Sequence, residues 1–80
     1  MTKKQYLKVI ESIINSPRND LQKIAMLKYS FETYVEDNEE KAYRISDVLK
    51  EADGIASSQE FGLSYGQAIN YLEEIKEIIK

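Results

Sequence analysis

Two pairs of carboxylates, Glu36 with Glu40 and Glu73 with Glu77, stand four residues apart. On a continuous helix that spacing puts both side chains on one face, where they could hold a cation or divide acid and base roles. Nothing in the sequence completes such a site. There is no histidine and no cysteine, so the commonest general base, the commonest metal ligand, a thiolate nucleophile and a disulfide are all missing. Seven serines, from Ser12 to Ser64, have no imidazole to activate them. No glycine-rich loop ends in Lys-Ser or Lys-Thr to cradle a phosphate, and Gly54, Gly62 and Gly66 cluster near expected helix ends. The paired carboxylates sit in highly charged runs that water solvates, where no burial raises a pKa. They read as surface. No catalytic residue, metal or cofactor is expected, and the chain is expected not to be an enzyme.

Residues suited to binding are better represented. Six tyrosines occur in 80 residues, and tyrosine brings large, stiff, amphipathic area to interfaces. Tyr6, Tyr34, Tyr65 and Tyr71 each have a neighbour expected to face a core, whereas Tyr29 and Tyr43 lie off the main apolar stripes. Gln22, Met26, Tyr29 and Thr33 form a mixed stripe at helical spacing. In a central helix of a small bundle such a stripe is more often buried against a second neighbour, and the functional alternative is a partner surface. The expected contact set joins Met26, Tyr29, Thr33 and Tyr43 to the acidic turn at Asp37, Glu39 and Glu40. Its mechanism would be occlusion of a basic or apolar site on a partner protein.

The elements that must position these residues are helical. Thr2 and Gln5 have the spacing of a capping box, and Ser64 and Gln67 repeat it near the other end. Met1 with Tyr6, and Leu63 with Ala68, add hydrophobic staples. From Lys3 to about Asn15, Tyr6, Leu7, Val9, Ile10, Ile13 and Ile14 mark an amphipathic helix. Ser16-Pro17 suits a cap and first position of a second helix, running to about Asp37, with Leu21, Ile24, Leu27, Phe31, Tyr34 and Val35 inward. Asp37-Asn38-Glu39-Glu40 breaks the chain and opens a third helix that buries Ala42, Ile45, Val48, Leu49 and Ala52. Gly54 is either its left-handed terminator or an internal residue, since apolar spacing continues through Ile55 and Ala56. After a connection at 57–62, a last helix starts near Tyr65 and turns Ala68, Ile69, Leu72, Ile75, Ile78 and Ile79 inward. With strand signals scarce, the expected fold is all-α, a small four-helix bundle, possibly three plus one, with short loops and most simply up and down. Residues 1–80 are expected to form a single helical domain.

Residues 54–73 resemble the helix-turn-helix unit of bacterial transcription regulators. Phe61-Gly62-Leu63-Ser64 is similar to its turn, Ser58 takes a small-residue place before it, and Ala68 and Tyr71 or Leu72 take packing places after it. The resemblance implies a recognition helix that presents Tyr65, Gln67, Ile69 and Asn70, with Gln and Asn able to pair bidentately with adenine. Against it, that helix has no Lys or Arg before Lys76, and Glu60, Glu73 and Glu74 would meet phosphates unfavourably.

Net charge argues the same way. A formal −3 disfavours nucleic acid as partner without forbidding it, because cations supply most of the affinity for phosphates. Lys3, Lys4 and Lys8 make the N-terminus locally basic, and the acids gather at Glu36–Glu40 and Glu73–Glu77. No apolar run reaches the roughly 18 residues of a membrane span, and residues 1–15 do not read as a signal peptide, so a cytoplasmic location without membrane contact is expected. Nine lysines against two arginines, with abundant isoleucine, suggest AT-rich coding and a bacterial or phage source. In size and helicity the chain is similar to small phage-encoded inhibitors and bacteriocin immunity proteins. The expectation is a non-enzymatic, acidic, regulatory interaction protein, with a homodimer open because Ile75, Ile78 and Ile79 could close a core within the chain or against a second copy.

Overall fold

A computed structural model describes residues 1–57 and 66–80. They form four helices, α1 (Lys3–Ile14), α2 (Asp20–Glu32), α3 (Glu39–Ala56) and α4 (Gln67–Ile79), and contain no strand. Each of the first three begins on a side chain that satisfies an otherwise orphaned backbone N–H. Thr2 Oγ1 accepts from Gln5 N at 3.1 Å while Gln5 Oε1 accepts from Thr2 N at 2.8 Å, the reciprocal box expected there. Asn19 and Gln22 make a second box, at 2.8 and 3.2 Å, and Asn38 Oδ1 accepts from Lys41 N at 3.1 Å.

Asn19, and not Ser16, is therefore the cap of α2. Ser16 Oγ is committed to the end of the previous helix, where it donates to Ile13 O at 2.8 Å, and Pro17 lies in the connection. At its other end α2 stops at Glu32, five residues short of the expected limit. Thr33 Oγ1 donates back to Ser30 O, and the chain leaves the helix so that the Tyr34 ring stacks on Tyr6, centroids 4.5 Å apart and planes 7° from parallel. Glu36 and Glu40 accordingly do not share a helix.

Inter-helix hydrogen bonds give the directions. Lys23 Nζ, at the start of α2, donates to Ile14 O at the end of α1; Lys41 Nζ, at the start of α3, donates to Ile79 O at the end of α4. Gly66 N, at the start of α4, donates to Asp20 Oδ2 at the start of α2. The bundle thus runs up, down, up, down, with α2 and α4 parallel on its diagonal and touching, and α1 and α3 on opposite sides of that pair. Between α1 and α4, Lys76 Nζ lies 2.6 Å from Glu11 Oε2. This contact holds the Glu11 carboxyl below its ordinary pKa, so its contribution is whole at neutral pH and is lost on acidification below about 4.5.

The core comprises Tyr6, Ile10 and Ile13 of α1, Ile24 and Leu27 of α2, Ile45, Val48 and Ala52 of α3, and Ala68, Tyr71, Leu72, Ile75, Ile78 and Ile79 of α4, with Tyr34. Leu7, Val9, Ile14, Phe31 and Leu49 pack against its margin. Four residues expected in the core are outside it: Leu21 is 57% exposed and Val35 79%, and Ala42 and Ile69 are half-buried. Leu21 is turned about 90° from the mean direction of Ile24 and Leu27 and faces the open groove beside the end of α3, and Val35 follows the point at which Tyr34 has turned the chain inward. Lys23 takes a buried place instead, at 6% exposure, its stem packed and its ammonium on the Ile14 carbonyl. Among the described residues no buried side-chain nitrogen or oxygen lacks a partner.

Two glycines have opposite roles. Gly54 is internal to α3, and a Cβ built on it meets no atom within 4 Å. Gly66 precedes α4 at φ +81, which side chains rarely adopt, so that helix starts at Gln67 rather than near Tyr65 and has no side-chain cap of its own. The expected cap Ser64 and staple residue Leu63 lie outside the described residues. Gly54→Ala is expected to stabilise the chain by about 0.5–1 kcal/mol and Gly66→Ala to destabilise it by about 1 kcal/mol or more. Calorimetry should show Tm moving up by a few degrees in the first variant and down in the second, at roughly 4–8 °C per kcal/mol for a chain this size.

Candidate functional site

Of the residues singled out for binding, the structure brings three together. Met26, Tyr29 and Ser30 of α2 and Thr33 at its C-terminal end line one wall of an open groove of 460 Å³, and Val9, Ser12 and Ile13 of α1 line the other. The angle between successive side chains explains this. Ile24 and Leu27 point to the core, so residues 22, 26, 29 and 33 fall toward the α1 side and outward. The mixed stripe is thus not buried against a second neighbour as expected: Gln22, Tyr29 and Thr33 are exposed, Tyr29 at 75%, and Met26 is half-buried. Because α1 covers only the Met26 edge, no helix among the described residues lies against the outer arc of α2.

Tyr29 also borders a second groove, of 330 Å³, between α2 and the C-terminal end of α3. Its walls include Leu21, Ala25 and Glu32 of α2 and Asp53 and Ala56 of α3, and Lys28 spans it to Asp53 at 3.0 Å. Leu21, Ala25 and Tyr29 are spaced four apart and form an exposed ridge between the two grooves. Sequence periodicity assigned Leu21 and Val9 to apolar core-facing stripes and did not single out Ser12 or Ala25. The available signal was the helical turn itself, which sets Leu21 about 90° from the mean direction of Ile24 and Leu27.

The remaining expected contact residues do not line the α1–α2 groove. Asp37 is in the connection, Glu39 and Glu40 are in the first turn of α3, and Tyr43 is one turn further on; all four are exposed, Tyr43 at 76%. Glu36, in the same acidic stretch, accepts from Tyr34 Oη at 2.7 Å. Burial and the Glu36 carboxylate push the Tyr34 phenol up to about 12, and burial also raises Tyr6 and Tyr71. The Asp37–Glu40 acids sit where α3 begins, suited to its positive end. Glu73 and Glu77 share a face of α4, both exposed, and among the described residues no three acids come together as a metal site.

Of the helix-turn-helix residues, Gln67 and Ile69 are half-buried at the start of α4 and Asn70 is exposed; Tyr65 lies outside the described residues, as do Ser58 and the turn 61–64. Gly54 and Ala56 close α3 instead of opening a new helix. Gln67 Nε2 lies 3.5 Å from Tyr71 Oη.

Fold and face together define an all-α four-helix bundle whose second helix carries exposed Leu21 and Tyr29 along its outer arc. No model of a protein family matches this chain, and no curated protein or solved structure does so either. No helix among the described residues is long and apolar enough to cross a membrane.

The raised Tyr34 pKa has a signed consequence. The native state holds this proton more tightly than the unfolded chain, so its contribution is whole below pH 10 and is lost as pH rises from 10 through about 12. Tyr34→Phe should flatten that alkaline decline, with Tyr6 and Tyr71 retaining the rest. In an ultraviolet titration of folded protein, the difference between the two chains should ionise near 12.

Proposed function

We propose that this chain is a non-enzymatic interaction protein that binds a partner protein through the outer face of α2 and its groove with α1, and modulates the partner by occluding the surface it covers. The observation that carries the reading is Tyr29, 75% exposed between two grooves and flanked by Met26 and Leu21. A folded chain gains little by leaving such a row in water, whereas an interface gains from a stiff aromatic beside an adaptable methionine. The exposed Asp37–Glu40 turn and Tyr43 would then act at the rim, where charges steer encounter more than they hold a complex.

The test is affinity capture of the tagged chain from cells that carry it, with and without nuclease, for the wild type and for Tyr29→Ala. The expected result is a protein that survives nuclease and is lost, or bound at least roughly tenfold more weakly, with Tyr29→Ala, as for a central aromatic anchor. Recovery that depends on co-purifying DNA would overturn the reading and direct attention to Gln67 and Asn70.

A further inference from the structure

We infer that the seam between α2 and α3 opens ahead of global unfolding, and that the Lys28–Asp53 ion pair is the clasp that holds it shut. This is a conformational device of the bundle itself, independent of the contact reading above.

Packing places the weak seam there. Among the described residues α3 rests on α4 and α2 alone, and of the helix pairs that touch, α2 and α3 are the most sparsely packed. Two open grooves follow their junction, one of 330 Å³ toward the end of α3 and one of 210 Å³ toward its middle, and Lys28, Glu32 and Asp53 line both. The ion pair thus crosses one cleft and divides it in two. Phe31 and Leu49, beside the second part, are only half-buried, and Ile24, 2% exposed, is on the floor of the first. Opening costs free energy in proportion to the apolar area it wets, so a seam floored by so few buried side chains separates before the rest of the core.

Charge supplies the clasp. Lys28 Nζ donates to Asp53 Oδ1 at 3.0 Å, and among the described residues no other hydrogen bond or ion pair joins α2 to α3. Both partners are about half exposed, which keeps the pair weak. Gly54 follows Asp53 directly and loosens the helix where the clasp is attached. The α1–α4 seam has a clasp of its own in Lys76–Glu11, so opening between α2 and α3 leaves that one closed.

The chain has no cysteine, so one introduced thiol reports its own exposure. Ile24→Cys puts it on the floor of the seam, and Ile10→Cys puts it in the core on α1, at a residue 0% exposed. The measurement is the rate of labelling by N-ethylmaleimide across urea concentrations below the unfolding transition, divided by the rate for the urea-unfolded chain. The expected result is labelling of Ile24→Cys with a urea dependence roughly half that of Ile10→Cys or less, because a local opening exposes less surface than global unfolding. Adding Lys28→Met, which keeps the apolar stem and removes the charge, should speed labelling at Ile24→Cys about two- to fivefold, the range of an exposed ion pair. Adding Lys76→Met should leave that rate unchanged while raising the rate at Ile10→Cys. Equal urea dependence at the two positions, equal acceleration of Ile24→Cys by Lys28→Met and Lys76→Met, or no acceleration by Lys28→Met would each overturn the inference. If Ile24→Cys lacks the helical circular dichroism of the wild type, Leu49→Cys on the α3 side of the same seam takes its place, with the same expected results.

Discussion

The diagonal contact between α2 and α4 is the constraint on which the rest of this bundle depends. Six of the thirteen residues of α4 are buried, more than any single neighbour could cover, so α1, α2 and α3 all pack against it. At about 25 cal/mol per Å² of apolar surface removed from water, isoleucines on two sides of one helix are a large share of what a chain this small can bury. With α2 and α4 in contact across the middle, α1 and α3 are kept apart on either side. That arrangement leaves the outer arc of α2 open among the described residues: its inner arc is used by α4, its edges by α1 and α3, and no other described helix covers Leu21, Ala25 and Tyr29.

Lysines from neighbouring helices finish this packing. Lys23 reaches the last carbonyl of α1, Lys41 reaches Ile79 O, and Lys3 lies 3.5 Å from Lys80 O, so cations stand at the negative ends of α1 and α4. At the opposite pole of α4, where Gly66 supplies no capping side chain, Asp20 of α2 accepts the Gly66 N–H. Helix ends that their own sequence leaves unsatisfied are thus closed by a neighbour. The same contacts fix how far each helix slides along the next, and so where Met26 and Tyr29 stand relative to Val9.

Most of the helical content was legible because it is written locally. The Thr2-Gln5 box starts α1 where expected, α3 opens at the expected break near Asp37–Glu40, and the stripes of α1, α3 and α4 predict nearly every residue those helices bury. The larger errors cluster on α2. Ser16-Pro17 and Asn19-Gln22 are both plausible starts, and Ser16 is claimed by Ile13 O; the far end is cut short because Tyr34 gains more by stacking on Tyr6 than by continuing the helix. The early end takes Val35 out of the helix and exposes it, while Leu21 is exposed and Lys23 buried by where the neighbouring helices lie around α2. Of the candidate face, Met26, Tyr29 and Thr33 were found by their spacing. Val9 and Ser12 were not, since their role depends on which helix lies beside α2.

What the sequence by itself determined is the class of structure and the exclusions that go with its composition: an all-α bundle, helices in these places, and no imidazole or thiol for catalysis. Those follow from residue type and from spacings of three and four, which act within one or two turns. Only the tertiary structure decided that Gly54 is internal to α3, that α2 pairs with α4 across the diagonal, and that the Gln22–Thr33 stripe faces water. Each of these depends on the relative stability of packings between residues far apart in the chain, and a helical stripe records only that a side chain could be covered, while the neighbours decide whether it is.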